Sequence, residues 1–148
     1  SSTYSPEVGK PLIDFEAPDF EGKVYRLSEL VEGKPAYLDL WSSQCTSCRR
    51  TSKAMKAVYD KYSPKGFTVV GVAREFGTDE LGRAAIEKDG YKWLNLLELD
   101  DANRIYDRYR CSMALGRTVL IDDKGIIVAI DPTMEEVSQW LENYYAGK

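Results

Sequence analysis

The sequence predicts an α/β fold in which helices cover both faces of a central mixed β-sheet. Strand-like and helix-like segments alternate three times along the middle of the chain, and a strand hairpin followed by a helix closes it. Strand–helix–strand units pair their strands in parallel through right-handed crossovers. The closing hairpin adds an antiparallel edge, so the sheet is expected to be mixed.

Five segments rich in β-branched and apolar residues predict the strands of this sheet. They cover residues 36–41, 67–73, 94–99, 118–121 and 126–130. The first is short and mostly apolar, which is typical of a central strand. A separate N-terminal hairpin is predicted from residues 13–15 and 24–27, which flank turn residues at 21–23. An extended segment, residues 1–11, precedes it.

Four helices are predicted from residues that recur every three or four positions. They cover residues 45–62, 78–89 and 102–109 and the segment after Thr133. Thr78 is expected to cap the second and Gly90 to end it, while Thr133 and Glu136 have the spacing of a capping box. The residues expected to face the core are Cys48, Ser52, Met55, Val58, Tyr59 and Tyr62 in the first helix, Leu81, Ala85 and Ile86 in the second, Ile105 and Tyr109 in the third, and Val137, Trp140, Leu141 and Tyr144 in the last.

Length and composition indicate one domain over residues 1–148, with an ordinary globular balance of 43% apolar and 30% charged residues. The net charge of −4 argues against a nucleic-acid binder. No apolar run reaches the length of a membrane helix. Because the chain begins at Ser1 rather than Met, we expect a processed or truncated domain, with any targeting or membrane segment outside this chain.

Cys45 and Cys48 form a C-x-x-C pair directly after a predicted strand and at the start of a predicted helix. A helix N-terminus favours a thiolate, so Cys45 is the expected nucleophile and Cys48 the residue that resolves a mixed disulfide. The plainer interpretations of the pair are that the two cysteines are inert buried thiols or that they form half of a metal site. Three cysteines are too few for a disulfide scaffold or a four-cysteine zinc site, and the lack of histidine excludes Cys–His catalysis. No cofactor or metal is expected.

Asp39 lies in the middle of the apolar strand 36–41, six residues before Cys45. A buried acid costs free energy unless it has a partner or a function. The alternatives are therefore a side chain that faces solvent or a polar partner, and a functional acid whose pKa is raised by burial.

Several motifs resemble those of one known family. They are Val-Gly-Lys-Pro at 8–11, Asp-Phe at 14–15, Gly-Lys at 22–23, Gly-Lys-Pro at 33–35, Asp-Leu-Trp-Ser-Ser-Gln-Cys-Thr-Ser-Cys-Arg at 39–49 and Leu-Ile-Asp-Asp-Lys-Gly at 120–125. The chain is similar in these motifs to extracytoplasmic thiol–disulfide interchange proteins of the TlpA/ResA type, which are related to the AhpC/TSA proteins. The resemblance implies a thioredoxin fold, an N-terminal hairpin extension and a helical insertion over residues 74–94.

The resemblance also implies site residues. Asp39 stands where thioredoxins carry a buried acid that helps to remove the proton of the second cysteine. The substrate groove is expected to include Trp41, Gln44, Thr46, Ser47, Gly116 and Arg117. Gln44 replaces the usual aromatic residue, and Gly116, followed by Arg117, stands where a cis-proline is usual. Since a non-proline cis bond costs about 3–4 kcal/mol, we expect a trans peptide there.

Other polar residues near these motifs have plainer interpretations. Arg49, Arg50 and Lys53 are expected to form a solvated helix face, although a cation there can also lower a thiol pKa. Arg117 is placed on the loop that faces Cys45. Cys111 is interpreted as a small buried hydrophobe, with a third redox thiol as the alternative.

The leading hypothesis is a thiol–disulfide oxidoreductase that acts on protein substrates and is served by an upstream redox partner. A thiol peroxidase is the second, but residues 42–44 lack the threonine and proline that peroxidatic cysteines need upstream. A binding module that kept the fold and lost efficient turnover is the third. The family resemblance implies an extracytoplasmic location, either periplasmic or membrane-anchored.

Overall fold

The computed structural model describes residues 5–111 and 115–148, so the first four residues of the predicted N-terminal segment lie outside the described residues. The strands are β1 (Glu16–Pro18), β2 (Val24–Arg26), β3 (Ala36–Trp41), β4 (Thr68–Glu75), β5 (Leu94–Leu99), β6 (Arg117–Ile121) and β7 (Ile127–Ile130). The helices are α1 (Leu27–Leu30), α2 (Thr46–Tyr62), α3 (Glu80–Asp89), α4 (Ile105–Arg108) and α5 (Met134–Ala146). A single 3₁₀ turn, Ser63–Lys65, follows α2.

The predicted mixed sheet is confirmed. Its strand order is β5-β4-β3-β6-β7, with β3, β4 and β5 parallel and with β6 and β7 antiparallel to their neighbours. All six residues of β3 are buried, as the prediction of a central strand requires. Asp39 lies at the middle of β3, opposite Gly71 on one side and Thr118 on the other.

Two hydrophobic cores lie on the two faces of the sheet. Because side chains alternate along a strand, Leu38 and Leu40 of β3 belong to one core while Tyr37 and Trp41 belong to the other. The second core includes Met55 of α2, so the odd-numbered residues of β3 face this helix. Asp39 has the same parity and therefore points toward α2.

The second predicted helix is shorter and rotated relative to the expectation. α3 begins after Asp79 rather than after Thr78, and Leu81, predicted to face the core, is 59% exposed. Gly82 is buried instead, and a methyl group on it would lie about 3.2 Å from the Phe20 ring. The missing side chain lets α3 approach this ring, which turns Leu81 outward.

The predicted helix over residues 102–109 is reduced to α4. Asp100, Asp101 and Arg104 have positive φ angles, which interrupt a helix. The buried Glu98 carboxylate accepts hydrogen bonds from the backbone N–H groups of Asn103 and Ile105. These two N–H groups therefore have a hydrogen-bond acceptor without forming a helical turn.

The N-terminal hairpin is confirmed but shifted, since its first strand is β1 rather than residues 13–15. The Tyr109 hydroxyl takes up both backbone groups of Ile13: it accepts from the N–H at 2.9 Å and donates to the carbonyl at 2.5 Å. The capping box of Thr133 and Glu136 is confirmed at the start of α5. None of the helices in the described part of the chain has the length and hydropathy that a membrane crossing requires.

Candidate functional site

Cys45 and Cys48 are joined by a disulfide at the start of α2, with their Cα atoms 5.2 Å apart. Cys45 is the N-cap residue of the helix, and its Sγ accepts a hydrogen bond from the Cys48 N–H at 3.2 Å. The Ser47 hydroxyl lies 3.5 Å from the same sulfur, whereas Thr46 is exposed in the first turn. The helix end therefore supplies donors to the sulfur that is expected to carry the negative charge.

The turn before Cys45 is held by a buried carboxylate. Glu75, at the end of β4, accepts from the Ser43 N–H at 2.8 Å and from the Ser43 hydroxyl at 2.5 Å. Arg49 donates to the Ser43 carbonyl at 3.3 Å, and the Gln44 amide donates to the Ser43 hydroxyl oxygen at 3.3 Å. Glu75 is missing from the predicted site, although an acid at the end of an apolar run is a signal similar to that of Asp39.

The Arg49 side chain is only 25% exposed and pairs with a buried acid, so the prediction of a solvated side chain is wrong for this residue. Its guanidinium donates twice to the Asp89 carboxylate, at 2.8 and 3.0 Å, and the Tyr91 hydroxyl donates to the same group at 2.8 Å. These partners, Arg49 first, lower the pKa of Asp89 to about 2. Arg50 and Lys53 are exposed, as predicted.

Asp39 is 2% exposed, and its carboxylate accepts a hydrogen bond from the Ser52 hydroxyl at 2.5 Å. Burial raises its pKa to about 7, against the opposing effect of the Ser52 hydrogen bond. Asp39 and Cys48 both line a cavity of about 300 Å³, together with Ser47, Gly116 and Arg117. The structure therefore brings the buried acid and the second cysteine to one cavity.

Gly116 covers the second cysteine. A methyl group on Gly116 would lie 2.7 Å from the Cys48 Sγ and within clashing distance of the Leu40 carbonyl oxygen. None of the peptide bonds between described residues is cis, which confirms the trans peptide expected before Gly116. Only glycine fits here without a shift of the central strand.

A second cavity, of about 150 Å³, lies on the Cys45 side of the disulfide. Trp41, Gln44 and Gly116 of the predicted groove line it with Cys45. Two apolar side chains absent from the predicted set, Phe76 at 54% exposure and Leu115 at 61%, also line it. The Trp41 ring is itself buried, and its Nε1 donates to the Asn95 side-chain oxygen at 2.8 Å.

Arg117 borders the Asp39 cavity rather than the cavity at Cys45. Its Nη1 donates to the Tyr109 carbonyl at 2.9 Å, and its Nε lies 3.4 Å from the Asp131 carboxylate. The guanidinium is thus engaged away from Cys45.

Cys111 lines neither of these two cavities. It packs against the core that contains Leu38 and Leu40, and burial raises its pKa to about 11. A neutral thiol in this position fits the interpretation as a small hydrophobe.

The chain is similar to known thiol–disulfide oxidoreductases. The AhpC/TSA family model matches residues 8–130. The thiol-disulfide oxidoreductase ResA of Halalkalibacterium halodurans is 27% identical over 137 residues, which cover 90% of this chain and 75% of the relative. The thiol:disulfide interchange protein DsbE of Pseudomonas aeruginosa is 30% identical over 134 residues, 86% of this chain and 67% of the relative.

Among solved structures, the thioredoxin domain of a thiol-disulfide oxidoreductase from Bacteroides vulgatus superimposes with a TM-score of 0.81 at 26% identity, covering 93% of this chain and 97% of the other. The architecture is therefore the thioredoxin fold that the sequence predicts. Since the family model spans most of the sequence, the chain belongs to the AhpC/TSA family.

Proposed function

We propose that Cys45 and Cys48 exchange disulfides with protein substrates, with Asp39 as the group that moves the proton. The protein is a thiol–disulfide oxidoreductase, like the relatives it matches. The observation that carries the residue assignment is the disulfide at the N-cap of α2, together with a buried acid that lines the same cavity as Cys48. The two sulfurs carry both electrons, so no cofactor is required.

In the reducing direction, the Cys45 thiolate attacks one sulfur of a substrate disulfide. A Cys45–substrate disulfide forms, and the other substrate sulfur leaves as a thiolate. Cys48 then gives its proton to Asp39 and attacks Cys45, which releases the second substrate thiolate and closes the Cys45–Cys48 disulfide. Two electrons pass to the substrate, and reduction potentials decide whether the reaction runs forward or in reverse.

Asp39 suits this role because its pKa, raised to about 7, lies near the working pH of most proteins. A carboxylate with an ordinary pKa is too weak a base to accept a thiol proton efficiently. The cavity shared with Cys48 gives the accepted proton a route to solvent.

We assign the substrate groove to the surface of the two cavities that Cys45 and Cys48 line, together with the exposed first turn of α2. Its members from the sequence are Trp41, Gln44, Thr46, Ser47, Gly116 and Arg117, to which the exposed Phe76 and Leu115 are added. The apolar pair gives an incoming peptide a hydrophobic contact beside the reacting sulfur.

The setting of the protein is also part of the proposal. A single domain over residues 1–148 works in an extracytoplasmic, oxidising compartment, where a dedicated upstream partner restores its redox state. The support is the resemblance to extracytoplasmic interchange proteins, together with a dithiol that needs such a partner.

A thiol peroxidase is not favoured. The relatives reported above are named as thiol–disulfide oxidoreductases and interchange proteins. The turn before Cys45 is Ser42-Ser43-Gln44, and Ser43 is committed to Glu75 rather than to a peroxide site.

The decisive experiment measures insulin reduction by wild type, Cys45→Ser and the control Cys111→Ser. Wild type and Cys111→Ser are expected to turn over equally, and Cys45→Ser is expected to lose all turnover. Full activity in Cys45→Ser would show that the assignment of Cys45 is wrong. Peroxide consumption by the same three proteins tests the peroxidase alternative.

A further inference from the structure

We propose that Glu75 is a positioning residue for the redox pair: by holding Ser43, it fixes the turn that places Cys45 at the N-cap of α2. The inference rests on the proposed function of Cys45 as the nucleophile. Glu75 lies at the end of β4, whereas both cysteines lie at the start of α2.

The contacts that carry the proposal meet at Ser43, which is 6% exposed. Its N–H and its hydroxyl both donate to the Glu75 carboxylate, so this one side chain restrains both the backbone and the side chain of the turn. Its carbonyl accepts from Arg49, which is itself fixed by Asp89. Every polar group of Ser43 is therefore engaged with a residue outside the turn.

The position of the turn determines the surroundings of the sulfur. The Cys45 N–H donates to the Ser42 carbonyl at 3.1 Å, which ties the cysteine directly to the turn. The Cys45 Sγ accepts from the Cys48 N–H, a contact that depends on the angle at which the chain enters α2. A displaced turn weakens this hydrogen bond, and the thiolate loses a donor.

Glu75 has a counterpart that makes the proposal testable. Glu98 on β5 is also buried and also accepts from backbone N–H groups, that of Asn103 in the loop before α4 and that of Ile105 at the start of α4. The two acids lie on neighbouring strands, one residue apart in register, since Arg74 pairs with Glu98. Glu98 contacts a loop that does not carry the cysteines, so it reports the effect of losing any buried carboxylate.

The experiment compares wild type, Ser43→Ala, Glu75→Gln, the double variant and the control Glu98→Gln. In the reduced proteins, the rate of iodoacetamide alkylation of Cys45 is followed against pH by peptide mass spectrometry. We expect Ser43→Ala and Glu75→Gln each to slow alkylation at pH 7 about fivefold, through a raised Cys45 pKa, with no such change in Glu98→Gln. The double variant should be no slower than the slower single one, because both substitutions remove the same contact.

The direction of the change in alkylation rate distinguishes a positioning role of Glu75 from an effect of its charge. Removal of the Glu75 negative charge alone would lower the pKa of a nearby thiol and speed alkylation. Unchanged or faster alkylation in Glu75→Gln and Ser43→Ala, or an equal slowing in Glu98→Gln, would overturn the proposal. If Glu75→Gln does not fold, Ser43→Ala decides alone. A wild type that alkylates at Cys45 but does not reduce insulin would contradict the proposed function and leave the positioning result readable.

Discussion

At the scale of single residues, Asp39 shows how the environment changes an ordinary acid. Its carboxyl lies in a fully buried strand with the Ser52 hydroxyl as its one hydrogen-bond donor in the described structure. Burial raises its pKa, and the hydroxyl opposes that rise without cancelling it. The result is a group that titrates near neutral pH and lines the same cavity as Cys48.

The proposed role of Asp39 predicts a pH profile for the resolving step. In wild type, the rate at which Cys48 closes the disulfide should rise with pH through about 7, as Asp39 becomes a carboxylate. Asp39→Asn should lose this rise and be at least about tenfold slower at pH 7.5. The measurement is stopped-flow release of a thiol from a mixed disulfide at Cys45.

Ser52→Ala serves as the matched variant, because it keeps the acid and removes its donor. The Asp39 pKa should rise further, so the profile should move to higher pH while the rate at pH 9 approaches that of wild type. A midpoint that stays in place or moves to lower pH in Ser52→Ala contradicts this account of Asp39.

The individual site residues differed in how far the sequence revealed them. The cysteine pair and Asp39 stand out locally, by spacing and by an acid within an apolar run. Glu75 holds Ser43 and Phe76 lines the cavity at Cys45, both from the end of β4, and Arg49 pairs with Asp89, which lies forty residues away in the sequence. Such contacts depend on the packing of separate elements, which a local pattern does not contain.

At the scale of elements, the start of β6 is fixed by the close approach of Gly116 to β3. The neighbouring atom is the carbonyl oxygen of Leu40, which belongs to the backbone of the central strand and has little freedom to move. The closeness of the Cys48 sulfur on the same side means that Gly116 constrains both the sheet and the redox pair.

Gly116→Ala should therefore lower the free energy of unfolding by about 1–3 kcal/mol, as overpacking does in a fixed site. Gly147→Ala is the control, because a methyl group there has its nearest neighbour at 3.8 Å and the backbone has a φ of −87°. Urea denaturation of the oxidised proteins measures both. Equal stability of Gly116→Ala and wild type would mean that the β6 segment relaxes freely.

The elements themselves were predicted well where the periodicity is long and less well at their ends. α2 and the sheet strands follow their hydrophobic patterns, whereas β1, α3 and α4 begin or end away from the predicted positions. In two of these cases the reason is a distant side chain: the Tyr109 hydroxyl occupies the backbone of Ile13, and Glu98 holds the loop before α4. Intrinsic propensity is overridden by such tertiary hydrogen bonds.

At the scale of the whole molecule, the buried acid makes folding stability depend on pH in an unusual direction. The pKa of Asp39 is about 7 in the folded protein, against the ordinary aspartate value of 3.8 that applies to the unfolded chain. Between these values the folded state binds more protons than the unfolded state, so Asp39 lowers stability as pH rises through this window. The loss of stability caused by Asp39 is complete above about pH 7 and absent below the pKa of Asp39 in the unfolded chain.

Asp39→Asn should accordingly be more stable than wild type by about 2–4 kcal/mol at pH 8, and equal to it near pH 3.5. Asp89→Asn is expected to change the folding stability in the opposite direction. Its folded pKa is lowered to about 2, so it stabilises the protein above the unfolded pKa, and its replacement should destabilise at pH 8. Denaturation at a series of pH values tests both, and a pH-independent difference for Asp39→Asn contradicts the burial argument.

The N-cap position of Cys45 has a consequence for the history of such a chain. Its sulfur both performs the proposed chemistry and accepts the hydrogen bond that begins α2. Serine is among the residues preferred at an N-cap, and a cysteine codon becomes a serine codon by one base change. A descendant can therefore lose its redox activity in a single step while its main helix stays capped. The fold can therefore persist after the redox activity is lost, which offers a direct evolutionary route from enzyme to binding protein.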